Sequence, residues 1–211
     1  MKKTSSLFIS FEGLDGSGKS LQASELCQHL KSIGRHVLLL HEPGSTPLGE
    51  EIARLLKWGS GFTFDPLVEL FLFNAARSQL VKNVIYPGLK KGKIIVVDRF
   101  VDSTLAYQGY GRGLDLQAVK TVNDTAINSC LPDLSVLIDI PVEIAHKRMK
   151  SEKDRFETEH ADFHRRIRDG YLEISEAEPE RWLVVDGRLD SATISQIIWE
   201  HVIRRLDHLE D

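Results

Sequence analysis

The chain has 211 residues, of which 42% are hydrophobic and 27% charged, and its formal net charge is −4. This composition is ordinary for one globular domain with a sizeable core, and it excludes a fibrous or intrinsically disordered chain. The negative net charge excludes a global positive field for nucleic acid or anionic lipid, so any anionic ligand must be bound by a local site.

Cysteine content and the lengths of the apolar runs favour a cytoplasmic location. Cys27 and Cys130 are far apart in the chain and too few for a disulfide framework, so we predict buried free thiols in a reducing compartment. The apolar run near the N-terminus extends only from Leu7 to Phe11, which is too short for the core of a secretory signal. No run approaches the ~18 apolar residues of a membrane span, so we expect no membrane partner.

Short apolar runs alternate with helical patterns from one end of the chain to the other. Strands are predicted over residues 7–11, 37–40, 94–97, 134–140 and 182–185. Helices are predicted over residues 19–33, 48–58, 66–89 and 116–130, from about 142, around 163–174 and over 194–209. A glycine-rich loop is predicted across Gly109, Gly111 and Gly113.

The alternation predicts an α/β fold with three layers. Strands that are apolar along their whole length are typical of a parallel sheet covered by helices on both faces. We find no linker or repeat, so one domain is expected over residues 1–211. In such sheets ligands bind beyond the carboxyl ends of the strands, and the residues that follow each strand are therefore the candidates for function.

The segment after the first strand is a P-loop. Gly13 to Ser20 reads Gly-Leu-Asp-Gly-Ser-Gly-Lys-Ser and fits the pattern G-x-x-x-x-G-K-[ST] between a strand and a helix. Glycines let the backbone N–H groups of Gly13, Leu14, Asp15, Gly16, Ser17 and Gly18 turn towards phosphate oxygens, and the helix N-terminus adds positive potential. Lys19 is predicted to reach the β- and γ-phosphates, and the Ser20 hydroxyl to bind Mg²⁺.

Acidic and basic side chains near this loop suggest a second substrate. Asp15 would repel the phosphates around it, so we expect it to point away from them, towards a hydroxyl group of another substrate. A solvated turn aspartate is the alternative. Asp98 and Arg99 follow the third strand, where Asp98 can hold Mg²⁺ or Ser20 and Arg99 can grip a phosphate, the alternative being a salt-bridged loop pair.

Residues 147–159 form a dense charged segment that we interpret as a mobile lid. Its basic residues are Lys147, Arg148, Lys150, Lys153 and Arg155. A basic lid supplies positive charge during phosphoryl transfer and excludes water, although a solvated helix end is the alternative. His160 and His164 lie four residues apart, but with no third ligand in sight we do not predict a metal site there.

The sequence resembles the bacterial thymidylate kinase family over nearly its whole length. Beyond the P-loop, the resemblance rests on several short motifs. These are Glu42-Pro43-Gly44-Ser45-Thr46, Phe73-Asn74-Ala75-Ala76-Arg77, Asp98-Arg99-Phe100 with Ser103, Ala106-Tyr107-Gln108-Gly109, Gly111-Arg112-Gly113 and Asp154-Arg155-Phe156-Glu157. It implies a P-loop kinase fold with strand order 2-3-1-4-5, transfer of the ATP γ-phosphoryl group to dTMP, Mg²⁺ as cofactor, and a homodimer.

The same resemblance implies roles for individual residues. In the acceptor site, Phe73 stacks on thymine, Arg77 binds a base carbonyl, Gln108 borders the base, and Tyr107 lies against the sugar. Pro43 is assigned to the same substrate-binding set. Asp15 receives the sugar 3′-hydroxyl, and Arg99 holds the dTMP phosphate near Ser103. On the donor side, Arg148 stacks on adenine and Arg155 neutralises transition-state charge.

Two departures from the family pattern affect these expectations. Relatives commonly carry arginine before the Glu-Pro-Gly element where this chain has His41, so a contact near the monophosphate is expected to weaken or to depend on pH. The segment 147–159 has Lys150 and Lys153 where relatives often have arginines, and lysine is the poorer bidentate clamp.

Two alternatives to thymidylate phosphorylation remain open from the residues. One is a kinase for another nucleoside monophosphate or for a deoxynucleoside. The other is a nucleotide-dependent binding switch, for which neither the Phe73/Arg77 pair nor a basic lid is needed. A GTPase is disfavoured because the chain has no Asn-Lys-x-Asp element to read guanine.

Overall fold

The computed structural model describes residues 6–59, 63–149 and 154–210. The strands are β1 (Leu7–Glu12), β2 (Val37–His41), β3 (Ile94–Asp98), β4 (Leu134–Asp139) and β5 (Trp182–Asp186). The helices are α1 (Lys19–Ser32), α2 (Pro47–Trp58), α3 (Pro66–Leu80), α4 (Tyr86–Lys90), α5 (Val101–Thr104), α6 (Leu116–Ile127), α7 (Val142–Arg148), α8 (Ala161–Ala177) and α9 (Ser191–Glu210). π-Helical turns cover Val81–Ile85 and Leu105–Gly111.

The strands pair in parallel in the order β2-β3-β1-β4-β5, as predicted. Successive β1 residues face opposite sides of the sheet. Ile9 packs with α1 and α9, whereas Phe8 packs with the end of α3, with Phe100 and with α6. The core therefore lies in two layers around a sheet covered on both faces. Within the described residues, no helix is long and apolar enough to cross a membrane.

The observed elements differ from the predicted ones in three places. β2 was expected to be buried but forms an edge of the sheet, where Leu39 is 44% exposed. The helix predicted over 66–89 shifts into a π-turn before Pro87, because proline has no N–H for the helical ladder. At that turn the Tyr86 N–H donates to Val81 O, five residues back.

The third difference is the predicted glycine-rich loop, which is wrong for Gly109 and Gly111. Both lie in the π-helical turn Leu105–Gly111, and only Gly113 has a left-handed φ, +80°. A Cβ on Gly109 would lie 2.7 Å from a Leu116 methyl carbon, and one on Gly111 would lie 2.8 Å from the Phe163 ring. These two glycines therefore permit close packing between helices, and neither adopts a left-handed turn conformation.

Candidate active site

The loop between β1 and α1 is shaped by glycines that tolerate no side chain. Gly13 has φ +134° and Gly16 has φ +82°, and a Cβ on either would lie 2.6 Å from a backbone carbonyl oxygen. Gly18 precedes α1 with φ +96° and provides no side-chain cap. The first N–H groups of α1 are thus open to an anion, as a phosphate-binding loop requires.

Asp15 does not point to solvent but connects this loop to the residues after β3. Its Oδ1 accepts from Lys19 Nζ at 3.0 Å and from Arg99 at 2.6 Å, and its Oδ2 accepts from the Tyr107 hydroxyl at 3.2 Å. Burial alone would raise the pKa of Asp15, but the charges of Arg99 and Lys19 lower it well below its usual range. Asp15 is therefore a carboxylate at neutral pH.

Arg99 is fixed directly beyond β3 in an uncommon backbone conformation. Its φ is +69°, in the left-handed region that costs a non-glycine residue about 1–2 kcal/mol. Its guanidinium donates to Gly13 O at 3.0 Å, Asp15 Oδ1 at 2.6 Å, Ser103 Oγ at 3.2 Å, Tyr107 OH at 3.1 Å and Tyr171 OH at 3.3 Å. The Arg99 guanidinium is thereby held between the P-loop and the helical segment that contains Ser103 and Tyr107. In this position it could bind a phosphate.

Glu12, at the carboxyl end of β1, supports this arrangement from behind. Its buried carboxylate accepts from the Phe100 N–H at 2.8 Å, from Ser103 Oγ at 2.6 Å and from the Tyr171 hydroxyl at 3.2 Å. Burial, aided by the negative charge of Asp102, raises the pKa of Glu12 to about 7. The sequence analysis assigned no role to this residue.

A cleft that is partly open to solvent lies next to Asp15 and Arg99. Every residue predicted to bind the acceptor lines it. These residues are Asp15, Pro43, Phe73, Arg77, Arg99, Ser103, Tyr107 and Gln108. The lining also includes Glu42, Lys57, Thr104, Asp154 and Phe156, which the sequence analysis had not assigned. Pro43 enters the cleft after a cis Glu42–Pro43 peptide bond.

Arg77 is the most constrained side chain of the cleft. It is 1% exposed, and Nε donates to Glu42 at 2.8 Å. Its other donors reach Asn74 Oδ1 at 3.3 Å, Asn123 Oδ1 at 3.1 Å, Phe100 O at 3.2 Å and Thr104 Oγ1 at 2.8 Å. All five N–H groups of the guanidinium are engaged, so a base carbonyl must share or replace one of these acceptors.

The two predicted metal ligands lie side by side. The Ser20 hydroxyl donates to Asp98 Oδ2, and Asp98 Oδ1 is buried without a hydrogen-bond partner among the described residues. Carboxylate and hydroxyl oxygens suit Mg²⁺, which usually takes its remaining ligands from substrate phosphates and water. No group of three or more His, Cys, Asp or Glu residues within the described segments could hold a metal ion. The local chemistry therefore fits a magnesium ion shared with a nucleotide.

Arg148 lies on the donor side of the P-loop. Its NH1 donates to Gly187 O at 2.9 Å, and a Cβ on Gly16 would lie 3.3 Å from the Arg148 Cβ. The last turn of α7 therefore packs directly on the phosphate-binding loop. This is a suitable position for a side chain that covers the nucleoside of a bound triphosphate.

Comparison with known proteins agrees with this geometry. Residues 11–198 match the family model described as "Thymidylate kinase". The chain belongs to the thymidylate kinase family. It is 48% identical to the thymidylate kinase of Dehalococcoides mccartyi (strain ATCC BAA-2266 / KCTC 15142 / 195), over 93% of this chain and 96% of that one. It is 44% identical to that of Kosmotoga olearia, over 96% and 99%.

A solved structure supports the same assignment. The crystal structure of thymidylate kinase from Ehrlichia chaffeensis superposes with a TM-score of 0.76 at 34% identity. The alignment covers 96% of this chain and 99% of that chain. The thymidylate kinase fold is therefore shared along almost the whole length, including the elements that carry the P-loop and the cleft.

Arg155 is the arginine of this thymidylate kinase family member to which the resemblance assigns transition-state charge. In this structure its Nε donates to Leu56 O at 3.0 Å and its NH1 to Glu69 at 2.5 Å. Its guanidinium also lies 4.5 Å from the Phe156 ring centroid. In this conformation Arg155 is anchored to α2 and α3, because the buried Glu69 carboxylate offers it a partner that the sequence pattern does not reveal. Lys150 and Lys153 lie outside the described residues.

His41 is also oriented away from the cleft. Its Nε2 lies 3.1 Å from Glu50 Oε1, and its Nδ1 lies 3.2 Å from Ser45 Oγ. It does not line the cleft in this structure, so the contact near the monophosphate that was expected to weaken or to depend on pH is not formed by the cleft wall itself.

The cleft residues to which the sequence analysis gave no role could be recognised only weakly from the sequence. Glu42, Asp154 and Phe156 lie within or beside the motifs of the thymidylate kinase resemblance, and only their roles were missed. Lys57 carries no motif. It reaches the cleft because α2 ends there, which no local pattern of residues indicates.

Proposed function

We propose that this chain transfers the γ-phosphoryl group of ATP to dTMP, giving ADP and dTDP. Membership of the thymidylate kinase family supports ATP and dTMP as the substrates. Phosphoryl transfer involves little covalent chemistry by the protein, so positioning and charge neutralisation must supply the rate enhancement. The residues around Asp15 are suited to both.

The observation that carries the proposal is the position of Asp15. This residue belongs to the phosphate-binding loop, yet it lines the cleft and is hydrogen-bonded to Arg99 and Tyr107. Donor loop and acceptor cleft therefore share a wall. An acceptor whose sugar contacts Asp15 would present its phosphate to Arg99, close to Lys19 of the P-loop.

Recognition of the acceptor base is assigned to the inner part of the cleft. Phe73 offers an aromatic face, Gln108 an amide, and Pro43 a rigid apolar edge for a methylated pyrimidine. Arg77 would bind a base carbonyl by sharing a donor, and its longest bond, 3.3 Å to Asn74, is the easiest to give up. Tyr107 is pinned against Asp15 and Arg99, which leaves little space for a 2′-hydroxyl and favours deoxyribose.

Charge neutralisation is assigned to Lys19 and Arg99. Both contact Asp15, and bound phosphates would compete with this carboxylate for their N–H groups. Mg²⁺, held by Ser20 and Asp98 together with the nucleotide, would supply further positive charge at the phosphates. Arg155 can reach the phosphates only after its ion pair with Glu69 breaks. We therefore assign neutralisation of the charge on the transferred phosphoryl group first to Lys19 and Arg99. Arg148 is assigned to stacking on adenine.

Assembly and location complete the proposal. Helix α3 exposes three apolar side chains to solvent: Leu67, Val68 and Phe71, the last of which is 52% exposed. An apolar surface on a helix agrees with the homodimer that the family resemblance implies. The cytoplasm is the proposed location, since ATP and dTMP are intracellular metabolites and both cysteines are free thiols.

The test is a coupled assay of ADP release with separate acceptors. With ATP and Mg²⁺, dTMP should give a kcat/KM at least tenfold above those of dUMP, dCMP and dGMP, because one methyl group in an apolar pocket is worth about tenfold or more. A thymidine arm tests a nucleoside kinase. Equal or faster turnover of another acceptor, or ATP binding without acceptor-stimulated ADP release, would contradict the proposal.

A further inference from the structure

The carboxylate of Glu12 lies behind Arg99, and two hydroxyl groups separate them. Glu12 is 0% exposed, and its Oε2 accepts from Ser103 Oγ at 2.6 Å and from the Tyr171 hydroxyl at 3.2 Å. Arg99 NH1 donates to the same two hydroxyl oxygens, at 3.2 and 3.3 Å. The buried acid and the arginine of the cleft therefore face each other across one layer of neutral groups.

The hydrogen bonds of this layer run in one direction while Glu12 is ionised. A hydroxyl group has one proton to donate, and a guanidinium only donates. Both hydroxyl oxygens accept from Arg99, so their protons turn towards the carboxylate, directly or through the 2.7 Å bond between Ser103 and Tyr171. Tyr171 keeps its proton near neutral pH, because burial raises its pKa well above the usual range. A protonated Glu12 would compete with Arg99 for the same oxygens.

The charges around Glu12 respond in the same sense to a bound phosphate. Burial is the main cause that raises the pKa of Glu12 to about 7; the charge of Asp102 raises it further and that of Arg99 lowers it. Asp102 is paired with Arg181 at 2.7 Å, and Asp15 accepts from the other terminal nitrogen of Arg99 at 2.6 Å. A phosphate on Arg99 would offset the positive charge that keeps Glu12 ionised.

We propose that Glu12 is a positioning residue for Arg99 and takes up a proton from solvent when the acceptor phosphate binds to that arginine. Once a phosphate oxygen accepts from Arg99, the hydroxyl oxygens of Ser103 and Tyr171 can accept from the carboxyl proton instead. By linkage, the acceptor binds more tightly to the chain in which Glu12 is protonated. This inference rests on the proposed function, because it needs a phosphorylated acceptor beside Arg99.

Isothermal titration calorimetry of dTMP binding, without ATP, measures this proton uptake. Titrations at pH 7.5 are repeated in buffers of different ionisation enthalpy, and the slope of the binding enthalpy against that enthalpy is the number of protons taken up. If the bound phosphate raises the proton affinity of Glu12 about tenfold, a carboxyl with a pKa of about 7 takes up about half a proton. Glu12→Gln should lose this uptake. Glu200→Gln, at an exposed position of α9, is the matched control and should keep it.

Thymidine provides a second comparison that needs no variant. It has the base and sugar of dTMP but no phosphate, so it should bind without this uptake. The phosphate of dTMP, with a second pKa of about 6, is already doubly ionised at pH 7.5 and adds little to the proton count. Glu42, whose pKa burial raises to about 7 despite its pairing with Arg77, would respond to the base with either ligand.

Equal proton numbers for the wild-type chain and Glu12→Gln overturn the proposal. Equal numbers for dTMP and thymidine in the wild-type chain also overturn it, and this comparison decides the question even where Glu12→Gln does not fold. Failure of the wild-type chain to bind dTMP would instead contradict the proposed function.

Discussion

At the scale of single residues, Asp15 shows why an acidic side chain is compatible with a phosphate-binding loop. Its carboxylate makes ion pairs with Lys19 and Arg99 at 3.0 and 2.6 Å. Two cations around one anion leave net positive charge in the loop, so the acid does not abolish the attraction for phosphate. Asp15 also holds both cations where the P-loop borders the cleft.

Lys19 provides the most direct test of the P-loop. Lys19→Ala removes the ammonium group that would follow the transferring phosphoryl group, so kcat should fall by at least about a hundredfold. The fold should be preserved, because Asp15 retains its pairing with Arg99. Coupled ADP release measures the first effect and circular dichroism the second. Lys31→Ala, at an exposed position near the end of the same helix, is the matched control and should leave kcat unchanged.

At the scale of elements, the carboxyl end of β1 organises the site. Glu12 is the last residue of the strand, and its carboxylate fixes the backbone of Phe100 and the side chain of Ser103. The strand register brings β1 beside β3, with Phe11 opposite Asp98, so the segments after both strands meet. A buried acid at this junction should also affect stability.

Glu12 predicts a dependence of stability on pH. Because its pKa is raised to about 7 in the folded state, the folded chain binds more protons than the unfolded chain between about pH 4.5 and 7. The free energy of unfolding should therefore decrease as pH rises through this range. Glu12→Gln should remove the part of that decrease that this carboxyl contributes, about 3 kcal/mol for a shift from 4.5 to about 7. Urea unfolding at several pH values measures it.

The control for this pH prediction is Glu200→Gln, at an exposed position of α9, which should keep the wild-type slope. A Glu12→Gln variant whose unfolding free energy follows the wild-type pH profile would show that Glu12 is ionised in both states. That outcome would contradict the raised pKa and leave only the hydrogen-bonding role of the residue.

Some secondary-structure elements could be predicted from the sequence pattern and others could not. Strands β1, β3 and β4 could be predicted because short, predominantly apolar runs mark strands buried on both faces. The same pattern gave no sign that β2 would be an edge strand, because the place of a strand in a sheet depends on its neighbours. The π-turn at Val81–Ile85 follows from Pro87, but the one at Leu105–Gly111 depends on packing against Leu116 and Phe163.

At the scale of the whole molecule, the exposed side of α3 predicts self-association. Phe71 and its apolar neighbours Leu67 and Val68 lie on the surface, whereas Phe73 and Arg77 of the same helix face the cleft. If this surface is the dimer interface, association would stabilise a helix that carries two residues of the cleft lining. The proposed homodimer thus has a direct structural link to the site.

Light scattering coupled to size-exclusion chromatography tests this assembly. The wild-type chain should elute at twice its mass of 23.9 kDa. Phe71→Glu places a charge in the apolar surface and should shift the protein towards the monomer, because an unpaired buried charge costs several kcal/mol. Leu21→Glu, on the exposed surface of α1, is the control and should remain dimeric. A monomeric wild type, or an unaffected Phe71→Glu variant, would contradict the interface.

The sequence alone determined the fold class, the P-loop and most of the residues that line the cleft. Periodicity, glycine positions and motif spacing are local properties, so Lys19, or Phe73 with Arg77, could be identified without knowing what each side chain contacts. The complete engagement of Arg77, the pairing of Arg155 with Glu69 and the entry of Phe156 into the cleft were decided by tertiary structure. These contacts join residues from distant parts of the chain, and a buried charge takes the partner that packing brings within reach.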